Sequence, residues 1–136
     1  MTTGLRGWPV AGLRAGQRWV VAIAALVAAV AHVPVIAPHL DEAPYMGVLF
    51  IVLIVGCTAI ALAALVRDSA AVYATATGTC GLALLGYAAT RLVGFPQLAD
   101  DVGNWLEPLG IVSVLSEAVV VAAAASALRR RRRLQH

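Results

Sequence analysis

Four long, nearly unbroken apolar runs decide what this chain can fold into. They read RWVVAIAALVAAVAHVPVI from Arg18, PYMGVLFIVLIVGCTAIALAALV from Pro44, a softer Thr- and Gly-rich run from Ala70 to Val93, and a last run from Glu107 to Leu128. Each is close to the ~20 residues that a helix, rising ~1.5 Å per residue, needs to cross a ~30 Å hydrocarbon layer. The runs neither alternate nor form a one-sided stripe, so half-buried strands and surface helices are poor descriptions of them. Composition agrees: 61% of the 136 residues are apolar and 12% are charged, too little charge to cover a water-exposed surface. The predicted fold class is all-α, an integral membrane four-helix bundle with both termini cytoplasmic. Its spans lie at about 18–36, 44–66, 70–93 and 107–128. They form a transmembrane domain, 18–128, between an N-terminal segment, 1–17, and a basic tail, 129–136.

Arginine placement sets the expected orientation. Every basic residue apart from histidine is Arg. Four spans bring Arg6, Arg14, Arg18, Arg67 and the tail residues Arg129, Arg130, Arg131, Arg132 and Arg133 to one side. Only Arg91 falls on the other, with Asp41, Glu42, Asp100, Asp101 and Glu107. The positive-inside rule makes the arginine-rich side cytoplasmic and the protein a multi-pass resident of the cytoplasmic membrane. The five tail arginines are the expected contact with anionic lipid headgroups. No aromatic–basic interleaving accompanies them, so nucleic acid is not an expected partner. Residues 1–31 admit a second reading as a signal peptide, with AVA before His32 as the cleavage site; cleavage there would leave three spans.

AHVPVIAPHLDEAP, residues 31–44, interrupts the apolar pattern with two histidines, two carboxylates and three prolines. Pro34 removes a backbone donor and disfavours helix at Val33, so the first helix is expected to end or kink there and the stretch to turn outside the membrane. Small residues are the expected packing faces: Ala24, Ala25, Ala28 and Ala29 on the first helix, Thr77, Gly81 and Ala88 on the third, Ala118, Ala122 and Ala125 on the fourth. Cys57 and Cys80 belong to no CxxC pair and lie at similar depth, as small apolar fillers or as a facing pair.

Glu42 and Glu107 each precede a proline that opens a helix, where a carboxylate is favoured by free N–H groups and the dipole. Glu117 lies nine residues beyond Pro108, about 13 Å along the helix axis and so near the midplane. A carboxyl at that depth must be paired, protonated or beside water. Ser113 shares its face, Ser116 is expected to point away, and Tyr87 is the expected hydrogen-bond donor to it. Arg91 is expected to clamp the third and fourth helices through Glu107, Glu42 or the loop aspartates. His39 and Glu42 have the spacing H-x-x-E, and with His32 and Glu107 they form a candidate cluster at the outer mouth. Imidazole with carboxylate suits zinc, iron or copper(II), so a metal ion at His39, Glu42 and Glu107 is one possibility. The same residues form a candidate ligand or proton path, with entry between His39, Glu42 and Glu107, a way inward along His32, Tyr87 and Glu117, and Arg91 counted among them.

The segments HLDE (39–42), RLVGFP (91–96), EPLG (107–110) and the deeper Glu117 resemble the H-x-x-E, R-x-x-G-x-P and E-P-x-G pattern of small actinobacterial membrane proteins with four predicted spans. The resemblance covers about residues 20–128 and implies a fold rather than an activity. Small four-span multidrug transporters are similar in size, but their essential Glu is in the first helix, which carries no carboxylate here. The reading that follows is a non-catalytic accessory or assembly component, with lipids and a protein partner or second copy as its expected contacts. A metal- or proton-handling protein and a homodimeric small-solute transporter are the alternatives.

Overall fold

A computed structural model describes residues 8–135, with side chains from residue 15 onward. Residues 1–7, with Arg6 among them, and the side chain of Arg14 lie outside what is described. Four long helices make the body: α1 (Trp8–His32), α3 (Pro44–Val66), α4 (Ala70–Leu92) and α5 (Pro108–Arg133), with a short α2 (Ile36–Glu42) between the first two. The architecture is all-helical; the described residues contain no strand, only an isolated bridge between Phe95 and Leu98.

Helix limits follow from local chemistry. Pro44 and Pro108 occupy first-turn positions, where a missing N–H costs nothing. Ser69 caps α4 by accepting from the Val72 N–H at 3.3 Å. Arg67 and Val93 are extended and end α3 and α4. The stretch opening at Ala31 does not turn the chain as anticipated. After His32 it passes through a 3-10 turn, Val33–Val35, and continues as α2 up to Glu42. Pro34 and Pro38 each fall in the first turn of a new helical piece, so neither breaks a required hydrogen bond. The reversal is at Ala43 (φ −141°, ψ 79°). Glu42 therefore closes α2, and Ala43 is the residue that precedes α3.

α1 packs on α3 and α5, and α4 packs on α5 and α3, so the long helices close a ring with α1 and α4 at opposite corners. α2 lies on the start of α3. The interior is built of small residues: Ala24, Ala25, Ala28, Ala29, Ala61, Ala64, Ala76, Ala124, Ala127, Cys57 and Cys80, with Val21, Ile60, Tyr73 and Val120 as the larger fillers. Large aliphatics point outward instead, with Leu82 71%, Leu85 68% and Val55 63% exposed. A water-soluble bundle has the reverse arrangement; small residues inside and large apolar residues outside are what a lipid-facing bundle requires. Three helical segments are long and apolar enough to cross a membrane: Ala15–Glu42, Pro44–Val66 and Pro108–Arg133. α4 matches α3 in length at 23 residues, but Thr75, Thr77 and Thr79 dilute its apolar character.

The expected packing faces are right on α1, where all four alanines are buried, and wrong on α5. Ala118 and Ala122 are exposed and Ala125 is half-buried. The inward stripe of α5 is Ser113, Ser116, Glu117, Val120, Ala124 and Ala127. On α4 it is Tyr73, Ala76, Cys80, Thr90 and Arg91 rather than Thr77, Gly81 and Ala88. α5 also runs straight through the arginines to Arg133, so the basic tail extends the helix rather than forming a separate segment.

Candidate functional site

Polar side chains gather in three layers of the bundle: the end bearing the 93–107 loop, the middle, and the end bearing the α3–α4 turn.

At the loop end, Arg91 is 6% exposed. Its guanidinium reaches Asp101 at 2.8 Å and Glu107 at 3.0 Å. A further bond goes to the Asp101 carbonyl at 3.3 Å, and the cation sits 4.6 Å from the centre of the Tyr87 ring. Gly103, at φ 79°, donates its N–H to the Arg91 carbonyl at 2.9 Å. Tyr45 ties the start of α3 to the same loop by donating to the Pro96 carbonyl at 2.6 Å. Glu107 thus spends its carboxylate on Arg91 and makes no cap to its own helix. Tyr87 does not approach Glu117. Its hydroxyl donates to the Trp105 carbonyl at 3.2 Å, and its ring lies so close to Gly110 that a Cβ there would meet Cε2 at 2.9 Å. Gly110 stands seven residues before Glu117, roughly 10 Å away along the axis.

In the middle, α1 contributes His32 and α5 contributes Glu117. They are 7% and 1% exposed, and Nε2 of His32 stands 3.8 Å from Oε1 of Glu117. That Oε1 has no hydrogen-bond partner among the described residues. His32 Nδ1 lies 2.7 Å from the Ala28 carbonyl, which only accepts, so the Nδ1 carries hydrogen and Nε2 is the nitrogen turned to Glu117. Ser113 and Ser116 are both buried but serve their own helix: Ser113 donates to the Leu109 carbonyl and Ser116 to those of Val112 and Ser113, each at 2.9 Å. Ser116 does not point away, and neither hydroxyl is given to the carboxyl. From α3 and α4, Cys57 and Cys80 bring their thiols beside each other and beside Glu117. Both are free, fully buried cysteines. Phe50, which the sequence reading passed over, packs its ring 5.2 Å from His32 and 4.9 Å from His39, centre to centre. As the one aromatic of the apolar interior of α3, seven residues into the helix, it was the available signal.

His39 bonds the Val35 carbonyl through Nδ1 at 2.8 Å, and Glu42 is exposed. Glu107 pairs with Arg91 at 3.0 Å, and Glu42 ends the short α2. Among the described residues no three His, Cys, Asp or Glu side chains are grouped to hold a metal ion.

At the remaining end, Arg131 reaches the Asp68 carboxylate at 2.5 Å and the Asp68 carbonyl at 2.7 Å. Tyr73 donates its hydroxyl to the same carboxylate at 2.9 Å, and Arg131 lies 5.6 Å above the Tyr73 ring. Arg131 is therefore engaged with the α3–α4 turn, unlike the exposed Arg129, Arg130, Arg132 and Arg133. No known family model matches the chain, and no curated protein or solved structure shows significant similarity to it.

Proposed function

We propose that the chain is a four-span protein of the cytoplasmic membrane, with both termini on the cytoplasmic side, acting as a non-catalytic accessory or assembly component. The observation that carries this reading is the inverted distribution of size, small residues inside and large aliphatics outside. It suits a bundle solvated by hydrocarbon and stabilised by close helix contact. α4 counts as the fourth span because it is as long as α3, and two of its hydroxyls, Thr77 and Thr90, donate to carbonyls of their own helix at 2.8 Å. Two clamps, Arg91–Asp101–Glu107 and Arg131–Asp68–Tyr73, lie at opposite ends of the bundle and fix its shape. The segregation of arginines puts the second clamp on the cytoplasmic side. Arg129, Arg130, Arg132 and Arg133 then face anionic headgroups, each contributing about 1 kcal/mol near such a surface.

Alkaline extraction of membranes tests the first half: the chain stays in the pellet, and release into the supernatant overturns the reading. Native gel electrophoresis in mild detergent, followed by mass spectrometry, tests the second. An accessory component migrates in a stoichiometric complex with another polypeptide. A chain found only alone, or only with copies of itself, contradicts the accessory role and leaves the span count untouched.

A further inference from the structure

The geometry points to a one-proton exchange site formed by His32 and Glu117 in the core of the bundle, reached from His39 past the ring of Phe50. The pair is nearly sealed, at 7% and 1% exposure, and its facing atoms are 3.8 Å apart. Glu117 Oε1 is an orphaned buried acceptor, and an orphan of this kind calls for an explanation.

Charge balance supplies one. With a single proton held between Nε2 and Oε1, the pair is neutral whether written as imidazole with carboxylic acid or as imidazolium with carboxylate. Removing that proton leaves a lone carboxylate in a low-dielectric interior, and adding a second leaves a lone cation; both are costly. The titratable groups facing Glu117 from the other helices are His32 on α1, Cys57 on α3 and Cys80 on α4. On α5 itself, Ser113 and Ser116 are committed to backbone carbonyls. No described cation competes, because Arg91 is held by Asp101 and Glu107 at the loop end.

The approach to the pair is equally specific. His32 and His39 lie seven residues apart, two helical turns. Both donate Nδ1–H to the carbonyl four residues back, so both leave Nε2 open. One phenyl ring touches both imidazoles. Rotation of Phe50 would let water join the two nitrogens. A proton taken up at Nε2 of half-buried His39 then passes through that water to Nε2 of His32 and on to Oε1. The N–H bond at His32 breaks as the O–H bond at Glu117 forms, and Nδ1–H of His32 is retained throughout. The inference borrows from the four-span reading only that hydrocarbon surrounds the core; topology mapping and the experiment below can fail independently.

The test uses the full chain in lipid vesicles. A lipid-soluble carbodiimide, which adds only to protonated buried carboxyls, is applied across a pH series and the adduct located by mass spectrometry. A single adduct at Glu117 is expected, its rate falling roughly tenfold per pH unit above the midpoint, with the midpoint displaced in His32→Gln. Glu117→Gln abolishes the adduct. Phe50→Ala admits a water-soluble carbodiimide that does not label the wild type. Infrared absorption of the protonated carboxyl, followed against pH in the unmodified protein, gives the same midpoint without any variant. A carboxyl band independent of pH, a midpoint unmoved by His32→Gln, or failure of Phe50→Ala to admit the soluble reagent overturns the site or its path.

Discussion

Glu117 is the residue on which the interior turns, because its orphaned oxygen makes it a poor contributor to stability. Replacing a whole buried pair of ionisable groups by apolar residues of similar volume is often neutral or stabilising, by about 1–4 kcal/mol, whereas removing one partner alone is costly. The double variant His32→Leu, Glu117→Leu is therefore expected to unfold in detergent at the same temperature as the wild type or above it, and a clear fall would show that the pair braces the fold. Gly47 behaves oppositely. A Cβ there would meet Leu40 Cδ2 at 2.7 Å and the Leu40 backbone nitrogen at 2.9 Å, so α2 rests on α3 only because Gly47 has no side chain. Gly47→Ala should cost about 1–3 kcal/mol as overpacking and speed amide exchange across 36–42; unchanged exchange would refute that contact. The depth of Glu117 was legible in the sequence as a count from Pro108. Its partner was not, since nothing in the spacing distinguishes Tyr87 from His32. Only the rotation of α1 about its axis brings Nε2 to the carboxyl.

Among the elements, the loop between α4 and α5 depends on Arg91. Its two carboxylate partners retain some access to water, with Asp101 25% and Glu107 36% exposed as side chains. Removing the guanidinium thus leaves charges that water partly recovers, and the loss for Arg91→Ala should be about 1–2 kcal/mol rather than the larger penalty of a sealed pair. Limited proteolysis should then cut within 94–106 in the variant and spare the wild type; equal resistance would contradict the clamp. Helix extents at α3 and α4 could be read to within a residue, because Pro44, the RDS turn and Val93 mark them chemically. The continuation through Pro34 and Pro38 could not be read. Proline in a first turn and proline that ends a helix look alike until the hydrogen-bond register is known. The inward face of α5 was misjudged for a related reason. Alanines lie all around that helix, and it is the run Ser113, Ser116, Glu117 and Val120 that marks its buried side.

For the whole molecule, apolar length predicts the long helices before any contact is known, and the structure adds how they close on one another. Small residues carry the interior, a clamp of opposite charges sits at each end, and a histidine–carboxyl pair lies between them. In the four-span reading the arginine clamp of α5 faces the cytoplasm and the Arg91 clamp faces outward. The most direct test is labelling of single cysteines in a Cys57→Ala, Cys80→Ala background, using a maleimide that does not cross membranes. In intact cells Asn104→Cys should react, while Ser69→Cys and Gln135→Cys should react only after permeabilisation. Reaction at Ser69→Cys or Gln135→Cys in intact cells, or protection of Asn104→Cys there, would contradict the account.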